Sequence, residues 1–257
     1  MSKDIHSILD GWDYEQNDLQ VRIVAGDDGR DKIQMRIDMG VIQMEMSGRP
    51  DGTRPDGFES LLDALETRSR STKSAAEPFS LDGKSCQSLM REGFQYYQRY
   101  LSAFHLQRYD LVVRDTERNL RLFAFVVASA IRQRDKLQFD RYRPYVTMMR
   151  SRALGLQALA KNDYQAALIA IDEGIEGVRK FLRDYEETEN ALECMELAFL
   201  LRWRKEVESE RPVGVLERLE TQLALAVSLE DYEEAAQIRD QIQRLMILAI
   251  PSRPSSS

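Results

Sequence analysis

The chain has 257 residues and a formal net charge of −7, with 43 acidic residues against 36 basic ones. At roughly 100–200 residues per domain, this length allows one large domain or two small ones, and the acidic balance argues against a dedicated nucleic-acid binder. Two Cys and two His exclude a disulfide framework, and we expect no zinc site.

Apolar and polar side chains alternate along residues 19–46, and turn residues at 26–29 and at Gly40 interrupt the alternation. The apolar positions are Val21, Ile23, Ala25, Ile33, Met35, Ile37, Met39, Ile42, Met44 and Met46. This pattern predicts a three-stranded antiparallel meander with one apolar face. A sheet of this size is marginal alone, so something must cover that face. The candidates are a short helix within residues 5–14, the helical region that follows, and a second copy of the chain.

The chain is expected to be α+β and mainly α, because helical patterns dominate after residue 85. We expect a meander with short helices over 1–68, a polar linker over 69–84, a helical body over 85–212, a helical hairpin over 213–249 and a disordered tail over 250–257. Polar residues indicate the linker, and the composition PSRPSSS indicates the tail. In the body Gly is sparse, and Pro144 and Pro212 mark places where one helix stops and another begins.

Three segments of the helical region share a helix, a short polar turn, a Tyr and a second helix. They lie at residues 101–120, 156–175 and 223–242 and carry Tyr109, Tyr164 and Tyr232. Small or apolar residues three and four positions after each Tyr let the paired helices approach closely. The first two segments resemble tetratricopeptide units, although their spacing of about 55 residues exceeds the usual 34. Plain antiparallel bundle packing explains the same pattern without repeat ancestry. Stacked helix pairs commonly hold other proteins.

The third segment carries a longer pattern that begins L-E-R-L-E-x-x-L-x-x-A at Leu216 and continues as E-D-Y-E-E-A-A-x-x-R-D-x-I to Ile242. The pattern resembles the UVR motif, the short helical hairpin of the repair proteins UvrB and UvrC. Sheet, helical body and hairpin together resemble bacterial proteins that carry this motif. The chain has no Walker A loop and no nuclease or helicase signature, so it is neither UvrB nor UvrC.

The resemblance implies that the hairpin packs against another hairpin, in the same chain or in another molecule. Two helices cannot bury both of their apolar stripes by themselves, so we expect the seam to bind a partner. The partner candidates are the helical body of the same chain and a second UVR hairpin, which would make a homodimer. The predicted protein-binding residues are Leu219, Leu223, Tyr232, Ala236, Ile238 and Ile242.

Residues 132–152 form a basic stretch with interleaved aromatic residues. Such a mixture can bind single-stranded nucleic acid, and it equally describes a helix junction with snorkelling Arg side chains. A contiguous, exposed Arg face would favour nucleic acid, whereas internally paired Arg residues would not. The candidate residues are Arg132, Arg134, Lys136, Arg141 and Arg143.

The sequence contains no catalytic constellation, phosphate-binding loop or calcium-loop spacing. We therefore expect a non-enzymatic, cytoplasmic scaffold for protein–protein interactions, without a metal or cofactor. The alternative is an accessory factor in nucleotide excision repair that docks a repair protein and weakly contacts DNA through residues 132–152. A third interpretation, an adaptor for a Clp-type protease, lacks the zinc-binding Cys pairs of such adaptors. No apolar run is long enough for a signal peptide core at the N-terminus or for a membrane span.

Overall fold

The computed structural model describes residues 4–72, 78–186, 193–212 and 214–248. The chain divides into two compact units, one within residues 1–208 and the other within residues 209–257. The first unit holds a sheet and a helical body, and the second holds a helical hairpin. The fold is thus mainly helical with a small N-terminal sheet, which confirms the predicted fold class.

The N-terminal sheet has three strands, β1 (Val21–Ala25), β2 (Asp31–Ile37) and β3 (Gly40–Glu45). They are antiparallel in the order β1-β2-β3, and Ile33 lies opposite both Ile23 and Met44. The meander is therefore confirmed. Met39 lies in the turn between β2 and β3 and is 89% exposed, and Ile23, Ala25 and Ile37 of the predicted apolar face are exposed as well. The alternation of strand faces ends at Ile37, so a side chain in that turn has no core to face.

The helices of the first unit are α1 (His6–Leu9), α2 (Leu61–Thr72), α3 (Gly83–His105), α4 (Tyr109–Ser129), α5 (Gln133–Asp140), α6 (Arg143–Leu159), α7 (Tyr164–Asp184) and α8 (Met195–Glu210), with a 3-10 turn at Pro55–Gly57. The hairpin consists of α9 (Val215–Ser228) and α10 (Tyr232–Leu248). Pro144 lies in the first turn of α6, where the missing N–H has no intrahelical acceptor to lose. This placement agrees with the helix boundary predicted from the sequence.

The helical body covers the apolar face of the sheet. Ile33 and Met44 are buried in one hydrophobic cluster with Tyr100 and Ala103 of α3 and Leu111 of α4. The four-residue helix α1 has no buried residue. Of the three candidate covers, the structure therefore uses the helical body of the same chain.

Arg99 joins the sheet to the helices through a buried ion pair. Its guanidinium makes two hydrogen bonds to the carboxylate of Asp115, at 2.7 and 2.9 Å, and both side chains are almost completely buried. Its Nη1 also donates to the carbonyl oxygens of Glu45 and Gly48, at 2.8 and 2.9 Å. A buried charge must keep its partners because the low-dielectric interior does not solvate it. This contact fixes the end of β3 on α3 and α4.

Glu92, which is fully buried on α3, caps the start of α2. Its carboxylate accepts the backbone N–H groups of Leu61 at 2.8 Å and Leu62 at 3.1 Å. Amides in the first turn of a helix have no acceptor within the helix, so they need an outside partner. Arg118 of α4 forms an ion pair with the same carboxylate. The capping group of α2 therefore comes from a residue about 30 positions later in the chain.

One hydrophobic cluster includes side chains from both sides of the predicted linker 69–84. Leu62 and Leu65 of α2 are buried with Leu81 and with Cys86 and Leu89 of α3. Residues 73–77 lie outside the described ranges. The linker and the domain limits drawn from it stay predictions, as does the tail 250–257, which also lies outside these ranges.

Three helix-to-helix turns have the same backbone geometry. Each contains one residue in the left-handed region; these are Gln107, Asn162 and Glu230, with φ of 55°, 57° and 60°. The next N–H then donates to the carbonyl of an Ala five residues earlier, as in a Schellman closure. These bonds join Arg108 to Ala103 at 2.8 Å, Asp163 to Ala158 at 3.0 Å and Asp231 to Ala226 at 2.9 Å. The repeated sequence pattern therefore corresponds to a shared turn.

The residue three positions after each Tyr lies in the interface of its helix pair. Val112 and Ala167 are fully buried, and Ala235 is nearly so. The residue four positions after the Tyr differs, since Leu168 is buried whereas Ala236 is exposed. The shared turn therefore determines that the residue three positions after the Tyr is buried. Whether the following residue is also buried depends on the elements that surround each hairpin.

Candidate functional site

The hairpin of α9 and α10 packs around a thin core. Among its described side chains, Ala226, Ala235 and Ile238 are buried, and Leu219, Leu223 and Ile242 are half-buried around them. The carboxylate of Asp231 accepts the N–H of Glu234 at 3.0 Å and so caps α10. Four of the six predicted seam residues thus lie between the two helices.

The other two predicted seam residues lie on the surface. Tyr232 is 69% exposed, and Ala236 is exposed as well. The buried stripe of α10 passes through Ala235, Ile238 and Ile242, and adjacent residues of a helix point about 100° apart. Ala226 and Ala235 therefore occupy the seam where Tyr232 and Ala236 were expected. Whether any of these side chains binds a partner stays a prediction.

Large apolar side chains remain exposed around the turn of the hairpin. Leu225 is 59% exposed and Leu229 is 70% exposed. Leu225 lies in the last turn of α9, Leu229 is the residue that caps its C-terminus, and Tyr232 begins the next helix. We call Leu225, Leu229 and Tyr232 the turn surface. Exposed apolar groups of this kind, rimmed by polar residues, are typical of interaction sites.

The residues beside the turn surface are acidic. Glu230, Asp231, Glu233 and Glu234 are all exposed. Arg239 contacts Asp240 of its own helix at 3.0 Å, and both side chains are largely exposed, so this ion pair contributes little. The local excess of carboxylates would repel the phosphates of a nucleic acid.

The predicted basic stretch begins just before α5 and extends into α6. Arg132 makes two hydrogen bonds to Asp135, at 2.7 and 3.0 Å. Arg143 contacts Asp140 at 2.7 Å and Asp184 at 2.9 Å. Arg132 and Arg143 are therefore closely paired with carboxylates of the same unit, and Arg134 has a longer contact with Asp135 at 3.8 Å.

Asp140 is a buried acceptor that holds two side chains. Besides Arg143, it accepts the hydroxyl of Tyr185 at 2.7 Å. Burial, together with this hydrogen bond, raises the pKa of Tyr185 to about 12. The phenol therefore stays protonated and keeps donating at neutral pH.

The remaining candidate cations do not form one continuous face. Arg134 and Arg141 are exposed, whereas Lys136 is half-buried. Arg134 and Arg141 line a groove together with Arg132, and neither Lys136 nor Arg143 lines it. The structure thus brings three of the five residues to one cavity and leaves two elsewhere.

This groove has a volume of about 1340 Å³ and lies between α3, α5 and α6. Cys86, Phe139 and Val146 line it as buried apolar residues, and Phe94 and Tyr145 line it as partly exposed aromatic ones. Sequence reasoning missed the groove because residues far apart in the chain form its walls. The sequence feature that could have indicated the groove was the interleaving of Arg and aromatic residues over 132–152.

The geometry of the second unit is that of a small helical hairpin that exposes apolar side chains at its turn. Residues 214–245 match the family model described as the UvrB/uvrC motif, which confirms the resemblance seen in the sequence. The match covers α9, the turn and most of α10. No curated protein and no solved structure matches the chain. The motif defines the hairpin as an interaction module and assigns no role to the first unit.

Over residues 4–72, 78–186, 193–212 and 214–248, no group of three His, Cys, Asp or Glu side chains is placed to hold a metal ion. None of the helices described there has the length and apolar character needed to cross a membrane. Cys86 and Cys194 are free thiols. Burial raises the pKa of both thiols, so both are protonated at neutral pH.

Proposed function

We propose that the protein is a cytoplasmic, non-enzymatic adaptor that binds another protein through its C-terminal hairpin. The observation that supports this proposal most directly is the turn surface. Leu225, Leu229 and Tyr232 are each more than half exposed, on a unit whose own core buries only small residues and one Ile among its described side chains. A partner that covers these side chains would supply the burial that the two helices do not provide.

The energetics of such a contact are favourable. Full burial of one Leu side chain contributes about 1.5–3 kcal/mol, and Tyr is among the residues that dominate protein interfaces. The carboxylates of Glu230, Glu233 and Glu234 surround these groups, so a partner with an apolar centre and basic neighbours fits best. A second hairpin of the same motif is one candidate, since its helices also expose apolar side chains, although a copy of this chain would bring the same carboxylates and fits less well. A helical segment of a different protein is the other.

The test compares two variants of the full chain that add the same charge. Leu225→Glu with Leu229→Glu places two carboxylates on the turn surface, and Gln237→Glu with Gln241→Glu places two on exposed positions of α10. Wild type and both variants are analysed by analytical ultracentrifugation and by affinity purification from the native host with mass spectrometry. All three should keep the same circular dichroism.

We expect the turn-surface variant to lose at least 90% of the self-association or partner recovery that the wild type shows, a tenfold loss that corresponds to about 1.4 kcal/mol. The Gln237/Gln241 variant should retain it. Equal recovery with both variants, or no association of the wild type in either assay, would contradict the adaptor proposal.

An accessory role in nucleotide excision repair is the second candidate function. It is supported by the exposure of Arg134 and Arg141, and the guanidinium of Arg141 lies 5.5 Å from the ring of Tyr142, a residue that is 45% exposed. It is weakened by the internal ion pairs of Arg132 and Arg143. Fluorescence anisotropy with labelled oligothymidine separates the two proposals. Binding at low micromolar protein that weakens steeply with added salt would favour the repair role, and no binding would favour the adaptor.

A further inference from the structure

We propose that the groove between α3, α5 and α6 binds an acidic peptide segment that carries a large apolar side chain. The groove lies on residues 83–196 of the first unit. The lining residues named here all belong to the first unit. This inference is therefore independent of the proposed role of the turn surface, and each can fail without the other.

The charge around the groove calls for an anionic occupant. Arg91 of α3 and Arg141 are exposed and have no carboxylate partner among the described residues. Arg134 is 78% exposed and reaches Asp135 only at 3.8 Å, while Arg132 already holds that carboxylate at 2.7 Å. Three guanidinium groups at one cavity are thus available for further pairing.

Several other surface arginines of the first unit already contact carboxylates. Arg204 contacts Asp172 and Glu208, and Arg150 contacts Glu117. Acidic residues outnumber basic ones in the whole chain, so carboxylate partners are plentiful. Arg91, Arg141 and the loosely paired Arg134 collect at one cavity of this chain and therefore mark a place where an external carboxylate fits. A guanidinium binds a carboxylate in a bidentate manner, which adds direction to the attraction.

The groove also presents apolar surface beside these cations. Phe94 is 55% exposed on α3, and its ring lies 5.6 Å from that of Tyr97 in a stacked arrangement. Met90 lies one helical turn before Phe94 and is half-buried on the same groove wall. Phe139 closes the floor and is buried. One Phe, Leu or Met side chain of a bound segment would cover Phe94 and remove its apolar area from water.

The size and charge of the groove favour a peptide over the other anionic occupants. Its volume of about 1340 Å³ exceeds the 300–1,000 Å³ of common small-molecule sites, so a longer segment fits better. Glu196 and Asp135 also line the groove, and the net charge of the chain is −7, so a phosphate backbone would meet repulsion. An acidic peptide meets less of this repulsion than a phosphate at every residue, because it places only a few carboxylates opposite the guanidinium groups and an apolar side chain beside Phe94.

The experiment selects peptides on the full-length protein. A random dodecapeptide library displayed on phage is selected on the wild type, with counter-selection on the variant Arg91→Glu with Arg141→Glu. The selected peptides are synthesised with a fluorescein label, and their affinity is measured by anisotropy. The control variant is Lys161→Glu with Lys205→Glu, which makes the same charge change at exposed cations away from the groove. Labelled oligothymidine is measured in parallel.

We expect the selected peptides to be rich in Asp and Glu and to contain a large apolar residue. Their affinity should fall at least tenfold with the Arg91/Arg141 variant and at least threefold with Phe94→Ala, and it should stay within twofold for the Lys161/Lys205 control. Unchanged melting temperatures would show that these exposed substitutions leave the fold intact.

Three results would overturn the inference. The first is that selection yields no peptide that distinguishes the wild type from the Arg91/Arg141 variant. The second is that the selected peptides are not acidic. The third is that oligothymidine binds the same Arg residues more tightly than the best peptide, which would assign the groove to single-stranded nucleic acid.

Discussion

The hairpins α6–α7 and α9–α10 have the same turn and different surroundings. Both close through a left-handed residue and a bond to an Ala carbonyl, and both cap the second helix with an Asp, at 2.9 Å for Asp163 and 3.0 Å for Asp231. In α7 Ala167 and Leu168 are buried in the body, whereas in α10 Tyr232 and Ala236 are exposed. Local sequence therefore specifies the turn, and the neighbouring elements decide which faces become buried.

Because their surroundings differ, the two units of the chain are stabilised in different ways. The first unit has two large hydrophobic clusters and buried paired charges, such as Arg99 with Asp115. Among its described side chains, the second unit has a small core and several exposed apolar residues. Substitutions at matched positions of the two units should therefore destabilise the protein by different amounts.

The largest effect is expected for Arg99→Leu in the first unit. The change leaves Asp115 buried without its main partner and removes the bonds to the carbonyl groups of Glu45 and Gly48. We expect a loss of about 3–5 kcal/mol in the free energy of unfolding, measured by denaturant titration. The control is Arg202→Leu, which removes an exposed pair with Glu206 and should change stability little. Similar costs for both variants would show that the buried pair is not needed.

A Glu at the matched position of the two hairpins should have the next largest effect. Ala167→Glu puts a charge into a fully buried site of the body and should lower the free energy of unfolding by about 3 kcal/mol. Ala235→Glu should instead accelerate hydrogen exchange in peptides from α9 and α10, because it opens only their thin core. The adjacent change Ala236→Glu lies on the exposed side and should stay within about 0.5 kcal/mol. If Ala236→Glu were as disruptive as Ala235→Glu, that face would have to be covered.

The smallest effect is expected at the caps that the two hairpins share. Asp163→Ala and Asp231→Ala each remove the side-chain acceptor of a first-turn N–H, at a cost of about 1 kcal/mol. Asp163→Asn and Asp231→Asn retain an acceptor oxygen, so each should lower the stability of its helix start by only a few tenths of a kcal/mol. The loss of amide protection at the start of α7 and of α10, measured by hydrogen exchange, gives the local effect of the two Ala variants and of the two Asn variants. Because the turns are alike, the two Ala variants should have similar local effects, and a large difference would mean that the turns are not equivalent.

The sequence predicted the elements that depend on local periodicity. Alternation gave the meander, and Pro144 gave the start of α6. Met39 was misplaced because alternation continues through the residue that makes the turn. In the hairpin, Ala235 and Ala236 are both small, and composition alone does not show which one faces α9. That choice depends on the exact rotation of the helix.

The features that join distant parts of the chain were not predictable in the same way. Neither the pairing of Arg99 with Asp115 nor the cap from Glu92 to α2 leaves a local pattern, because each requires helices to be placed side by side. The groove depends on the same placement, since Arg91 and Arg141 are 50 positions apart. The sequence identified the basic residues of 132–152 and left open which of them would find internal partners.

The cap from Glu92 also determines when α2 can form during folding. A helix of 12 residues is marginal in water, and the amides of Leu61 and Leu62 gain their acceptor only after α3 is in place. The carboxylate of Glu92 also pairs with Arg49 and with Arg118, so the complete cap forms only when α4 lies against α3. Although α2 comes early in the chain, its amides should become protected from pulse-labelled exchange later than those of the α3–α4 pair. On a ribosome, α2 would therefore leave the exit tunnel and remain without its cap until some 60 further residues had been synthesised.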